Sequence, residues 1–158
     1  MKKGPREIIV ITVISLFLVT CKDEYTICNL SRNVNFNAGF YQRLSGADVS
    51  VVVPGLTVYL LNNSSSPIFN NQQNARSFSL PLEPFKDSSR YVISITSGQP
   101  DTLTIVYNTV SATLSEACGS VFHNNLIKVY STANTLDSAR IVNPAVTSAG
   151  LENARIYF

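Results

Sequence analysis

The sequence predicts an all-β fold, an antiparallel β-sandwich of Ig-like or Greek-key type with about seven to nine strands, with a small β-barrel as the alternative. Three observations predict it. From Val34 onward, apolar and polar residues alternate with a period of two in segments rich in β-branched and aromatic side chains. No segment carries a helical stripe with caps. Turn-forming residues recur at roughly ten-residue spacing, which suits short strands folded against one another and not βαβ units.

The strands follow from that punctuation. Val34–Tyr41 comes first, and Ser45-Gly46 separates it from Asp48–Val53. Pro54-Gly55 then leads into Leu56–Leu61, and the polar stretch from Asn62 to Asn74 is expected to be a long loop before Ala75–Leu82. Lys86 to Ser89 turns into Tyr91–Thr96, and Gly98-Gln99-Pro100 turns into Thr102–Tyr107. Val110–Glu116 is expected as a separate strand, His123-Asn124 as a turn, and Asn125–Ser131, Arg140–Asn143 and Ala154–Phe158 as the last strands. Tyr91, Ile93 and Ile95 share one face, as do Leu103, Ile105 and Tyr107, so each set supplies half of a two-layer core.

Charged residues make up 14% of the 158-residue chain, against a usual level of about 25%. That excludes a disordered polyelectrolyte, a coiled coil and an electrostatic binder of nucleic acid. Lys2, Lys3, Arg6 and Glu7 account for the formal net charge of +2, and the remainder is balanced. With one His, no Trp and three Cys, most metal and nucleophile constellations cannot be assembled. No cofactor and no metal are expected.

Three positive groups in residues 1–7 precede an apolar run from Ile8 to Val19. A spanning helix needs roughly 20 apolar residues, so this layout reads as a secretory signal over residues 1–20. The run ends in Leu18-Val19-Thr20-Cys21, which resembles a bacterial lipobox, with Thr20 where Gly, Ala or Ser is usual. On this reading Cys21 is lipidated, residues 21–30 form the tether, and residues 31–158 form one β-sandwich domain. An uncleaved anchor and an ordinary signal with an incidental cysteine are the alternatives. Each buried CH₂ contributes about 0.8 kcal/mol, so two or more acyl chains hold a protein on a membrane stably. Lys22-Asp23-Glu24 resembles the surface-export signal of lipoproteins from Bacteroidota-type bacteria. The expected location is therefore the outer membrane, at the cell surface, with the periplasmic face as the alternative.

If lipid takes Cys21, Cys28 and Cys118 remain as a natural pair in an oxidising compartment. A bridge over a loop of this length would stabilise the domain by about 4 to 5 kcal/mol on loop-entropy grounds. Two separate buried thiols are the competing reading.

Cys21-Lys22-Asp23-Glu24, Cys28, Phe78-Ser79-Leu80-Pro81-Leu82, Asp101 to Tyr107, Ala117-Cys118-Gly119 and the closing run Glu152 to Phe158 form an ordered series. In that series the chain resembles a family of short Bacteroidota lipoproteins of unknown function. The resemblance implies a secreted β domain with a Cys28–Cys118 bridge. It implies no activity.

No position favours catalysis. His123 stands in Phe122-His123-Asn124-Asn125 without a visible orienting acid. Asp87, Asp101, Glu116 and Asp137 fall at expected strand ends or turns, where acids cap and solvate, and not at a glycosidase spacing. Phosphate, nucleophile-elbow and calcium motifs are missing. Asn62 to Ser66 and Asn70 to Asn74 suit a wet loop, although such side chains also pair with sugar hydroxyls. Ser138, in Asp137-Ser138-Ala139, resembles the O-glycosylation triplet of these bacteria. Tyr25, Tyr41, Tyr59, Tyr91, Tyr107, Tyr130 and Tyr157 fit a core or rim, or else a binding face. The function expected is a non-enzymatic, membrane-tethered module that binds a protein or glycan or plays a structural part. The alternatives are a barrel-type carrier of small molecules or lipids, and a hydrolase with an unrecognised site.

Overall fold

The computed structural model describes Cys28 and residues 34–158 apart from Ser97; Cys21 and Lys22-Asp23-Glu24 lie outside the described residues. Among the described residues every regular element is a strand. In chain order these are β1 Asn35–Leu44, β2 Ala47–Ser50, β3 Leu56–Leu60, β4 Phe69–Gln72, β5 Ser77–Pro81, β6 Ser88–Ser94, β7 Asp101–Ser115, β8 Gly119–Tyr130, β9 Ser138–Ile141, β10 Ala145–Val146 and β11 Ala154–Tyr157. They form a five-stranded and a six-stranded sheet, and short strands such as β4 and β10 carry the count above the expected range.

The first sheet runs β2-β1-β11-β9, with β5 also on β1. Phe40 marks a handover along one edge of β1: its N–H donates to Arg76 O at 2.9 Å, while its carbonyl accepts from Val51 N at 3.0 Å. β5 therefore borders the first half of β1 and β2 the second. On the other edge β11 runs parallel to β1, in register from Ala38↔Ala154 to Tyr41↔Tyr157, an exception to the expected antiparallel pairing. The second sheet runs β10-β8-β7-β6-β3-β4, all antiparallel.

The core lies between the sheets. Phe36, Ala38 and Phe40 face it from β1, Ala154 and Ile156 from β11, and Tyr91, Ile93, Leu103, Ile105 and Tyr107 from the second sheet, all buried. Two buried phenols also donate hydrogen bonds. Tyr91 donates to Pro81 O and Tyr107 to Glu83 O at 2.7 Å, while Ser89 Oγ lies 2.8 Å from the Tyr107 hydroxyl and accepts from Glu83 N. The chain leaving β5 is thus held down by three side chains of the second sheet. Buried Asn153 links the sheets: its amide donates to Asn143 O and Ala145 O, and its Oδ1 accepts from Asn37 N.

Four local expectations are corrected. Val110–Glu116 is not a separate strand, because β7 runs without a break from Asp101 to Ser115. His123-Asn124 is not a turn but part of β8, where His123 pairs with Val110 and buried Asn124 accepts from the Thr109 hydroxyl at 2.7 Å. The Asn-rich insert is not all loop, since β4 pairs with β3 inside it, although Asn71 and Asn74 have positive φ and bend it. Asp101 caps as expected but is buried instead of solvated.

The β7–β8 hairpin outruns its sheet. β6 pairs with β7 only from Asp101 to Val106, whereas β8 stays with β7 as far as Ser115↔Gly119. At the rise of a β-strand this overhang extends about 30 Å beyond β6. Cys118 sits at its tip and is disulfide-bonded to Cys28, with Cα atoms 4.8 Å apart. The expected pairing is present.

Candidate functional site

The outward face of the first sheet assembles polar and aromatic side chains that are scattered in sequence. Because side chains alternate along a strand, residues opposite to the Phe36-Ala38-Phe40 series point away from the core: Gly39, Tyr41 and Arg43 on β1. Register places Arg155 and Tyr157 of β11, Arg140 and Ser138 of β9 and Asp48 of β2 beside them.

Asp48 is the hub. Its carboxylate accepts from Arg155 at 2.8 Å, from the Tyr157 hydroxyl at 3.0 Å and from Arg140, and Arg43 stands 3.7 Å away. Burial opposes ionisation of Asp48, but the bonds from Arg155 and Tyr157 and the charges of Arg140 and Arg155 outweigh it and hold the carboxyl below its ordinary range. Arg155 also donates to Glu152 at 3.1 Å, and bonding to Asp48 and then Glu152 pushes its guanidinium pKa up. Glu152 accepts from the Tyr41 hydroxyl at 2.8 Å, which with burial raises the Tyr41 pKa.

Cations cover the rings. Arg155 lies 4.7 Å from the centre of Tyr41, and Arg43 and Arg140 lie 5.3 and 5.9 Å from that of Tyr157. Gly39 leaves room for this packing: a Cβ there would stand 2.7 Å from the Tyr41 ring and 3.3 Å from Glu152. The outer guanidiniums remain accessible, with Arg43 62% and Arg140 50% exposed, while Asp48 is 13% exposed. Beside them a surface concavity of about 410 Å³ is lined by Arg43, Leu44, Asp137, Ser138 and Tyr157, among others. Chemically, this is an array of guanidinium donors over aromatic rings, suited to carboxylate, carbonyl or hydroxyl acceptors of a ligand.

The structure separates the residues singled out in sequence. Ser138 is exposed at the start of β9 and lines the concavity. Asp101 accepts from the backbone N–H of Asn134, Thr135 and Leu136 and from the Thr132 hydroxyl, at 2.7 to 2.9 Å. Burial alone would raise its pKa, but these bonds lower it. His123 is part-buried in β8, its Nε2 without a hydrogen-bond partner. Asp87 and Glu116 are exposed on other loops, so the acids and His123 do not converge. Among the described residues no group of three or more His, Cys, Asp and Glu side chains could hold a metal. Tyr91 and Tyr107 are core residues, Tyr41 and Tyr157 belong to the outer cluster, and Tyr25 lies outside the described residues. The Asp48 hub was missed in sequence; its only signal was the alternation that puts Tyr41, Arg43, Arg155 and Tyr157 on polar faces.

Fold and site together define an all-β sandwich domain with a disulfide-tied hairpin and an ion-paired tyrosine–arginine face. Residues 55–158 match the family of unknown function DUF6452, and the chain belongs to that family. The match includes the closing run from Glu152 to Phe158, which supplies Asn153 and, in the outer cluster, Glu152, Arg155 and Tyr157. No curated protein and no solved structure matches the chain.

Proposed function

We propose that the protein is a non-enzymatic lipoprotein of a Bacteroidota-type bacterium, anchored in the outer membrane through acylated Cys21. In this reading it displays its sandwich at the cell surface and binds a partner protein or glycan through the Asp48–Tyr157 face. The lipobox-like Leu18-Val19-Thr20-Cys21 and the Lys22-Asp23-Glu24 run support the anchor and the location. The single observation that carries the binding role is the face itself. Arg and Tyr are among the side chains enriched at interface hot spots, and here they are gathered around one carboxylate with two guanidiniums open to water.

The mechanism is tethering. Confinement to a membrane plane raises the effective concentration of a weak binding face, and β9, at the edge of the first sheet beside that face, offers a strand for augmentation. The test is quantitative co-purification from detergent-solubilised membranes, comparing wild type with Arg43→Glu/Arg140→Glu. Partners enriched with the wild type and lost from a folded double variant are the expected result. An identical set from both would count against this face.

A further inference from the structure

A second surface lies at the opposite end of the domain. β1 serves as a ruler: its last residue, Leu44, pairs with Ala47 beside Asp48, and its first, Asn35, pairs with Pro81. Val34 and Leu82, just beyond that first pair, line a concavity of about 330 Å³ with Pro84 and Phe122. At the strand rise the two ends are about 30 Å apart.

At this second end Phe85 is 82% exposed and Phe122 is 45% exposed, yet their rings meet edge-to-face, 5.1 Å between centroids. Phe85 also holds φ at +63°, a conformation that a bulky residue adopts only when its surroundings impose it. Those surroundings are visible. Tyr91, Tyr107 and Ser89 fasten Pro81 to Glu83, and Lys86 closes the loop onto Glu83 at 2.6 Å. The chain is thus braced to present an aromatic side chain to the outside.

The tether reaches this end. Cys118 at the hairpin tip holds Cys28, and Phe122 is four residues along β8 from Cys118, about 13 Å at the strand rise. The seven residue steps from Cys21 to Cys28 reach at most about 25 Å, whatever their conformation. A lipid on Cys21 would therefore hold the Phe85–Phe122 end, and not the Asp48 end, next to the bilayer.

We infer that the Phe85–Phe122 pair docks on the lipid bilayer, its rings lodged at the boundary between headgroups and acyl chains, so that the Asp48–Tyr157 face is held at a distance from the membrane. This rests on the acylated Cys21 of the proposed function. Apolar faces that carry Phe bury into the boundary between headgroups and acyl chains, and a lipid anchor combined with a second, weak contact fixes an orientation that one flexible tether cannot.

The chain contains no tryptophan, so Phe85→Trp is a single-tryptophan reporter. Full-length acylated protein is reconstituted into phosphatidylethanolamine/phosphatidylglycerol vesicles, floated on a density gradient, and measured again with lipids brominated near the carbonyl end of the chain. The expected emission moves to shorter wavelength and is largely quenched. Phe122→Trp behaves alike, while Leu44→Trp floats equally and stays unquenched. Flotation with Phe85→Trp and Phe122→Trp unquenched overturns the docking and leaves the anchor standing. Quenching of Leu44→Trp in place of the other two puts the wrong end on the bilayer and also overturns it. An emission shift that needs added envelope protein, and not lipid, overturns it in favour of a protein partner. Loss of flotation overturns anchor and docking together.

Discussion

Cys28 and Cys118 are joined across 90 residues of sequence, and the bond falls at the tip of the β7–β8 hairpin, not within the sandwich core. It fastens the segment that precedes the domain to the part of the second sheet that extends furthest from its neighbours. Reduction frees both, and closing a loop of this length restricts the unfolded chain strongly. Reduced protein and Cys118→Ser are each expected to melt roughly 10 °C below the oxidised wild type. Calorimetry with and without reductant checks this; equal melting temperatures would contradict it.

Acid sensitivity is expected to centre on Asp101. Its folded-state pKa lies below the unfolded value, so its stabilisation is fully present above about pH 4 and is lost as pH falls through the folded value. Asp101→Asn removes the charge from three backbone donors and one hydroxyl, and should cost about 2 kcal/mol at neutral pH. Urea unfolding between pH 2 and 7 should show a shallower acid slope in that variant than in wild type.

At high pH the sign reverses. Burial, then the nearby Tyr107 and Glu83, push Tyr91 up to about 12, and burial raises Tyr107 as well. For groups with raised folded pKa, stability is complete below the unfolded value near 10 and declines as pH climbs through the folded one. Absorbance of tyrosinate should therefore show two phenols that ionise only with unfolding. Tyr107→Phe, which leaves the Glu83 carbonyl without its phenol donor and takes one of two partners from Ser89, should cost about 1 to 3 kcal/mol by chemical denaturation.

The outer cluster is expected to behave as one unit. Asp48→Ala leaves three neighbouring arginines without their shared counter-charge and the Tyr157 hydroxyl without its acceptor. Melting temperature should fall, and the double variant Asp48→Ala/Arg140→Ala should lose less than the sum of the singles, the mark of coupled groups. Gly39→Ala should displace the Tyr41 ring and weaken the same network, seen as a changed Tyr41 environment by NMR.

Much of the fold was legible in sequence where burial is one-sided. The alternations at Tyr91-Ile93-Ile95 and Leu103-Ile105-Tyr107 report the core directly, because a strand with one buried face must alternate. Legibility fails where β7 and β8 outrun their sheet. There the Thr109 hydroxyl donates to Asn124 across the ladder, and polarity that reads as a turn is strand. The parallel β1–β11 pair has no local signal, since it joins residues more than a hundred apart. The candidate site fails for the same reason. Asp48, Arg140 and Arg155 come from three strands, and only register makes them neighbours. The cysteine pair was legible because the count itself is small.

The most direct test of a membrane-tethered β domain is intact mass spectrometry of the protein extracted from membranes. The expected mass is that of a chain beginning at Cys21 and carrying a diacylglyceryl group. An unmodified Cys21, or a chain that still includes residues 1–20, would contradict it.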